Sequence, residues 1–307
     1  MSGKTPRRHP AKPCPDKHPT DSSPGKHPTK SSDRARRSYE DTEQKKFDSN
    51  TQASEPKGSK GQSNTKQRVA VVIPAKNESG RIAATVASAK KIPLVDLVLV
   101  VDDGSQDQTR AKAQEAGAVV VRHSHNRGKA EAMETGAAII AMRDQENTPP
   151  RLLLFLDADL GDTAQAAAPL IRPVVTGEAD LTIAVLPQQV GAAGFGAVVR
   201  LARKGITRAT GFIPRAPLSG QRCLTRPAYE AATPLAHGWG VETGMTIDLL
   251  RQGFTVQEVE CDLRHRPTGK SLRAIAHRLG QYRDVSMALA TRGVRIAAAR
   301  ARRRLGN

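Results

Sequence analysis

The chain has 307 residues, with 48 Lys and Arg against 30 Asp and Glu and a formal net charge of +18, so its partners are expected among anions such as nucleotide phosphates or an anionic membrane surface. Cys14, Cys223 and Cys261 are too few and too scattered for a disulfide framework or a zinc site, and no stretch approaches the length of a spanning helix or a signal core. A reducing cytoplasm is therefore the expected compartment, and the scarcity of aromatics, 3% of residues, argues against a nucleic-acid partner.

Residues 1–68 are rich in Pro, Ser, Lys, Thr and Gln and hold 16 basic against 8 acidic side chains. Such a composition buries too little apolar surface to offset the entropy of ordering, so it reads as a disordered basic tail. Its His-Pro repeat, at His9-Pro10, Lys17-His18-Pro19-Thr20 and Lys26-His27-Pro28-Thr29, fits an extended polar linker better than a metal binder. Residues 69–291 are enough for one α/β domain. A basic end follows over 292–307, with six arginines from Arg292 to Arg304.

In chain order, Val69-Ala70-Val71-Val72-Ile73-Pro74 predicts a buried strand, followed by the polar turn Ala75-Lys76-Asn77-Glu78 and a helix presenting Ile82, Val86 and Ala89 on one face. Leu97-Val98-Leu99-Val100-Val101 predicts a second strand ending in Asp102-Asp103-Gly104-Ser105. A helix from about Gln106 to Ala116, closed by Gly117, leads to a short strand at Val119–Val121. Asn126-Arg127-Gly128-Lys129 then opens a helix with Met133, Ala137 and Ile140 inward. Leu152-Leu153-Leu154-Phe155-Leu156 reads as a strand buried on both faces, stopping at Asp157-Ala158-Asp159. Asp162 is placed as the N-cap of the next helix. After a strand at Leu181–Val185, Phe195, Val198, Val199, Ala202, Ile206 and Ala209 keep helical spacing, with Arg200, Lys204 and Arg208 on another face. A helix following Glu242 turns Met245, Leu249 and Leu250 inward. A late strand, Phe254–Val259, and a basic helix complete the pattern, which as a whole implies a doubly wound, mostly parallel sheet.

Side chains alternate along an extended chain, so Asp157 and Asp159 are expected on one side at a strand's carboxyl edge, where open α/β sheets bind ligands. Paired carboxylates suit Mg²⁺ or Mn²⁺, above all when the ion also holds a diphosphate; capping of the next helix is the competing reading. Gly128-Lys129 lacks the rest of a P-loop, Gly194-Phe195-Gly196 lacks the third glycine of a dinucleotide fingerprint, and no Gly-x-Ser-x-Gly elbow is present.

Taken together, Val72–Glu78, Val100–Thr109, Asn126-Arg127-Gly128-Lys129, Phe155–Asp159, Leu218-Ser219-Gly220-Gln221-Arg222 and Gly240-Val241-Glu242-Thr243-Gly244 resemble, in identity and order, the GT-A fold glycosyltransferases of family 2. That group includes dolichyl-phosphate mannosyltransferases and glucosyl-3-phosphoglycerate synthases. The resemblance implies that Pro74, Ala75, Glu78, Asp102 and Asp103 hold the nucleoside, that Lys129 lies at the donor, and that Asp157 and Asp159 hold the metal. Some relatives add a histidine where this chain has His265, which could equally contact phosphate or solvent. Arg264 and Arg266 suit a diphosphate or an acceptor phosphate. Ser219, Gln221 and Arg222 fall on the acceptor side, although the lipid-phosphate members usually carry an aromatic where Gln221 stands. Glu242 is a general base, an acceptor-binding carboxylate or simply an acid favoured by the helix dipole.

The expected activity is sugar transfer from a UDP- or GDP-linked donor to a phosphate-bearing acceptor, with Asp159, Glu242 and Lys129 carrying the chemistry. Polyprenyl phosphate at the inner face of a membrane is the first acceptor expected and 3-phosphoglycerate the second. A homodimer is left open. The competing non-enzymatic reading is a nucleic-acid or membrane binding protein on an inert scaffold, whose binding would collapse with salt and ignore metal.

Overall fold

The structure is a computed structural model that describes residues 67–187, 196–265 and 279–293. The expectations for residues 1–66, Phe195, Arg266 and the arginines beyond 293 lie outside the described residues. At the start of the fold Arg68 already belongs to it, its carbonyl accepting a hydrogen bond from Leu152 N at 3.0 Å.

Seven strands form one sheet: β1 (Val69–Ala75), β2 (Val95–Asp102), β3 (Val119–Arg122), β4 (Leu152–Phe155), β5 (Leu181–Val185), β6 (Arg222–Leu224) and β7 (Val256–Glu260). Their order is β3-β2-β1-β4-β6-β5-β7. All pairings are parallel except those of β6, which runs antiparallel between β4 and β5. The sequence pattern gave no sign of β6, because three residues are too few to show a period.

The helices between the strands are α1 (Ile82–Ala89), α2 (Thr109–Glu115), α3 (Lys129–Arg143), α4 (Ile171–Val175), α5 (Gly196–Thr210), α6 (Arg226–Ala232) and α7 (Val241–Arg251), with a 3₁₀ segment at Gly161–Leu170. Residues 279–293 form a further helix, α8. No helix among the described residues is long and apolar enough to cross a membrane.

Alternation along the central strands builds two cores. Val69, Val71, Ile73, Val100 and Leu154 face α1, whose Ile82, Val86 and Ala89 are buried, and the 3₁₀ segment. Ala70, Val72, Leu99, Val101 and Phe155 face α3, through Met133, Ala137 and Ile140, and α7, through Met245 and Leu249. Each fully buried side chain of this kind contributes about 1.5–3 kcal/mol. On α7 the inward set is Met245, Ile247 and Leu249, while Leu250 is only half-buried. On α5 the apolar residues Val198, Ala202 and Ile206 are buried, and Arg200, Lys204 and Arg208 are exposed as expected. Gly205 lets α8 approach closely, since a Cβ there would clash with Leu289.

Two expectations need correction. Asp162 does not cap a helix; it lies within the first 3₁₀ turn, after an N-cap position occupied by Leu160 with no side-chain cap. Arg292 is 5% exposed and its guanidinium pairs with Asp248 of α7, so it belongs to the folded core rather than to a free basic end.

Candidate functional site

The topology brings seven separate segments to one edge. β1, β2 and β4 are parallel with Ala75 opposite Asp102, so the turns after all three emerge together. β6 runs the other way with Arg222 opposite Phe155, so the residues just before it, 219–221, reach the same edge. β5 and β7 pair in parallel up to Val185 opposite Glu260, which delivers His265 there too. The N-termini of α3 and α7 supply Lys129 and Glu242.

β4 ends at Phe155, so Asp157 and Asp159 stand in a turn rather than at the tip of the strand. They nevertheless share a side, because Ala158 and Leu160 are buried at 5% and 0% and leave the acids facing outward, their side chains 26% and 23% exposed. The expected outcome holds; packing in the turn, rather than strand pleating, produces it.

Lys129 is clamped between two carboxylates, with Nζ 2.8 Å from Asp157 Oδ1 and 2.8 Å from Glu242 Oε1. Burial works to lower its pKa, but the charges of Asp157 and Glu242 outweigh it and hold the ammonium protonated far beyond neutral pH. Asp157 also accepts from Gln221 Nε2 at 2.6 Å. Desolvation would raise the Asp157 carboxyl, yet Lys129 and His265 together lower it. His265 sits across both acids, with Nδ1 2.9 Å from Asp159 Oδ1 and Nε2 4.0 Å from Asp157 Oδ2. Its burial favours the neutral ring, but the bond to Asp159 and the charges of both aspartates raise its pKa. The result is a compact group of Asp157, Asp159, His265, Lys129, Gln221 and Glu242.

The neighbouring turns are stapled to one another. Asn77, in the left-handed region at φ 55°, accepts from Gln106 N through Oδ1 at 2.8 Å, and its N–H donates to Ser105 Oγ. Glu78 N donates to Thr109 Oγ1 and Ser79 N to Asp107 Oδ2. Gly104 has φ +70°, and a Cβ there would lie 2.8 Å from the His125 backbone, so only glycine allows this approach. Pro74 is half-buried and Ala75 buried on the same strand end, where Ala75 O accepts from Asp103 N. Asp102 is buried, with Oδ1 accepting from Ser105 N at 2.9 Å and Oδ2 3.4 Å from Arg122 Nε.

Two residues assigned to ligands also hold the fold together. Asp103 is 4% exposed, and its carboxylate accepts from His123 Nδ1 at 2.8 Å, Arg127 N at 2.7 Å and Gly128 N at 2.8 Å. It holds the turn that presents Lys129. Arg222 is 1% exposed, donating from Nε to Ser219 O and from Nη1 to Thr246 Oγ1. It braces the sheet edge from beneath, and burial brings its pKa down to about 10 despite Glu242 and Glu258. Ser219 Oγ donates to Gln221 Oε1 at 3.1 Å, orienting the amide toward Asp157. Arg264 lies at the exposed rim, 3.4 Å from Asp262.

Sequence reasoning missed His123, whose Nε2 meets Thr135 Oγ1 at 3.0 Å, and a polar stripe at Arg81, just before the first helix, and Thr85 and Ser88 on it. The spacing of four and three residues was the available signal for the stripe. For His123 there was none.

Residues 70–216 match the family model for glycosyl transferase family 2. Among characterised relatives, glycosyltransferase AglJ of Haloferax volcanii is 32% identical over 212 residues, covering 67% of this chain and 66% of its own. Glucosyl-3-phosphoglycerate synthase of Mycobacterium tuberculosis is 30% identical over 204 residues, covering 59% and 60%. The chain thus spans about two thirds or less of the length of these relatives. The crystal structure of the mycobacterial synthase in complex with Mn²⁺, UDP-glucose and phosphoglyceric acid superposes with a TM-score of 0.61 at 27% identity, over 74% of this chain and 79% of that one. With the GT-A architecture and the order of motifs in agreement, residues 70–216 form a glycosyl transferase family 2 domain.

Proposed function

We propose that the protein transfers a sugar from a nucleotide-diphospho-sugar, UDP- or GDP-linked, to a phosphate-bearing acceptor with the help of Mg²⁺ or Mn²⁺. The observation that carries this reading is the meeting of Asp157, Asp159 and His265 beside Lys129 at the sheet edge. Among the described residues no three His, Cys, Asp or Glu side chains form a ready metal cage. Mg²⁺ and Mn²⁺ take one or two carboxylates and complete their shell with water and substrate phosphates, and Asp157 and Asp159 are donors of that kind. Asp157 and Asp159 would hold such an ion, with His265 as a third donor. Bound there, it would neutralise the charge gathering on the departing diphosphate, an effect worth several kcal/mol.

The chain's own groups supply the rest. Lys129, kept cationic by two acids, offers a full positive charge at a helix N-terminus to an anionic oxygen of the donor. Gln221 and Glu242 fix its position and that of Asp157. Pro74, Ala75, Glu78 and Asp102 line the turns beside it and suit the nucleoside. Arg264 at the rim suits an acceptor phosphate.

Polyprenyl phosphate remains the favoured acceptor. Arg200, Lys204 and Arg208 on the exposed face of α5 give a cationic surface for anionic lipid headgroups at the cytoplasmic face of a membrane. A second reading, transfer to 3-phosphoglycerate, draws support from the mycobacterial synthase, whose crystal structure contains phosphoglyceric acid, and from Gln221 in place of an aromatic.

The test is a thermal-shift panel of UDP- and GDP-sugars with and without Mn²⁺, followed by radiolabelled transfer to polyprenyl phosphate in detergent and to 3-phosphoglycerate. Metal-dependent stabilisation by one nucleotide, lost in Asp159→Ala, is expected. No response to either nucleotide in the presence of metal rejects the enzyme in favour of an inert scaffold.

A further inference from the structure

The turn from Asp157 to Gly161 carries both acids, and it is tied to the rest of the fold by one face of α1 and the residue before it. Thr85 Oγ1 donates to Ala158 O at 2.8 Å and accepts from Gly161 N at 2.8 Å, so a single hydroxyl closes the segment on either side of Asp159. Arg81 Nη1 donates to Asp159 O at 3.1 Å. Ser88 Oγ donates to Asp162 O at 2.7 Å and accepts from Gln165 N at 2.9 Å. Thr85 and Ser88 are 0% and 4% exposed; neither can reach a substrate. Gly161, at φ +57°, leaves room for the Arg81 guanidinium, which lies 3.2 Å from where a Cβ would stand.

We propose that Thr85, supported by Arg81 and Ser88, is a positioning residue that sets the pose of the Asp157 and Asp159 carboxylates and thereby the affinity for the divalent ion. The inference rests on the metal-nucleotide reading above. Its physical basis is that a carboxylate whose backbone is fixed loses little freedom on binding an ion, whereas one on a loose turn must first be ordered; groups that orient metal ligands typically account for tenfold to hundredfold in metal affinity.

The experiment uses the full chain and measures Mn²⁺ binding by electron paramagnetic resonance in the presence of UDP or GDP, with nucleotide binding in EDTA measured separately by calorimetry. Thr85→Val keeps the volume and removes the hydroxyl. Its Mn²⁺ dissociation constant is expected to rise about tenfold or more, while metal-free nucleotide affinity stays within about twofold. Thr85→Ser, which restores the hydroxyl, is expected to restore Mn²⁺ affinity, an outcome that a merely structural role would not single out. Unchanged Mn²⁺ affinity in Thr85→Val overturns the inference and leaves the metal site standing. Failure of the wild-type chain to bind Mn²⁺ with either nucleotide overturns the metal reading itself and this inference with it. Should Thr85→Val not fold, Arg81→Gln and Ser88→Ala take its place, and unchanged Mn²⁺ affinity in both is the overturning result.

Discussion

Gly220 stands directly against Asp157: a Cβ at position 220 would fall 2.9 Å from each carboxylate oxygen of Asp157 and 2.5 Å from Lys129 Nζ. The backbone before β6 is thus pressed onto the Lys129–Asp157 pair, and only a residue without a side chain allows it. In Gly220→Ala the added methyl displaces the tips of two side chains rather than any backbone, so the fold should lose about 1 kcal/mol or less. The pair cannot keep its geometry, and turnover is expected to fall at least tenfold, about 1.4 kcal/mol in transition-state stabilisation. Steady-state kinetics beside a denaturation curve separates the two effects; equal loss in both would show that Gly220 serves folding alone.

The stapling of the first two turns predicts a specific acid response. Desolvation pushes the Asp107 carboxyl up, but bonds from Thr109 and Ser79 more than reverse it and hold it at about 2 against an ordinary 3.8. A carboxyl depressed on folding adds stability above its unfolded value, and that stability is lost as pH falls through the folded value. The wild-type chain should therefore melt higher than Asp107→Asn by a constant margin above about pH 5, the margin shrinking between about pH 4 and 2. A difference in melting temperature that stays constant down to pH 2 would show that the latch has no ionic component. Asp107 is exposed, so solvent screening keeps the margin small.

What could be read from the sequence was local. The buried strand that leads to Asp157, the inward faces of α1 and α3 and the amphipathic α5 follow from periodicity within a single element, and the structure places these elements as expected. The meeting of Gln221 with Asp157 spans 64 residues, and that of His265 with Asp159 spans 106. Only the sheet order, with β6 inserted antiparallel between β4 and β5, brings them together. Asp103 shows a second limit: an acid at a strand end is equally suited to a ligand and to the N–H groups of a neighbouring turn, and nothing local tells which donors will arrive. Arg222 likewise falls on the acceptor side by its motif, but its position opposite Phe155 and Ile183 buries it.

At the end of the sheet remote from the site, Asp144 joins two arginines, with Oδ1 2.7 Å from Arg151 Nη1 and Oδ2 2.9 Å from Arg226 Nη2. Arg226 is 8% exposed, and Arg151 keeps Asp96 as its other partner. Removing Asp144 strands Arg226 in the interior, a loss expected to cost about 3–5 kcal/mol. Asp144→Ala should show that loss by urea denaturation while the nucleotide affinity of the folded fraction is unchanged. A loss below about 1 kcal/mol, the range of exposed pairs, would mean that the network is fully screened by water.

Glu242 offers a way to separate the two acceptors. Its carboxylate is 5% exposed and holds Lys129 at 2.8 Å, so neutralising it weakens the clamp on the lysine whatever the acceptor. Beyond that, the chemistry diverges. The attacking oxygen of polyprenyl phosphate belongs to a phosphate already ionised near neutral pH, and no proton need be removed. A hydroxyl, such as the one on 3-phosphoglycerate, must lose its proton, and removing a general base typically costs about a hundredfold to ten-thousandfold. With polyprenyl phosphate, Glu242→Gln is therefore expected to lower kcat by about tenfold, with the pH profile unchanged in shape. A loss beyond a hundredfold together with the disappearance of the acidic limb of the profile would assign Glu242 as the base and move the acceptor from the lipid phosphate to the hydroxyl.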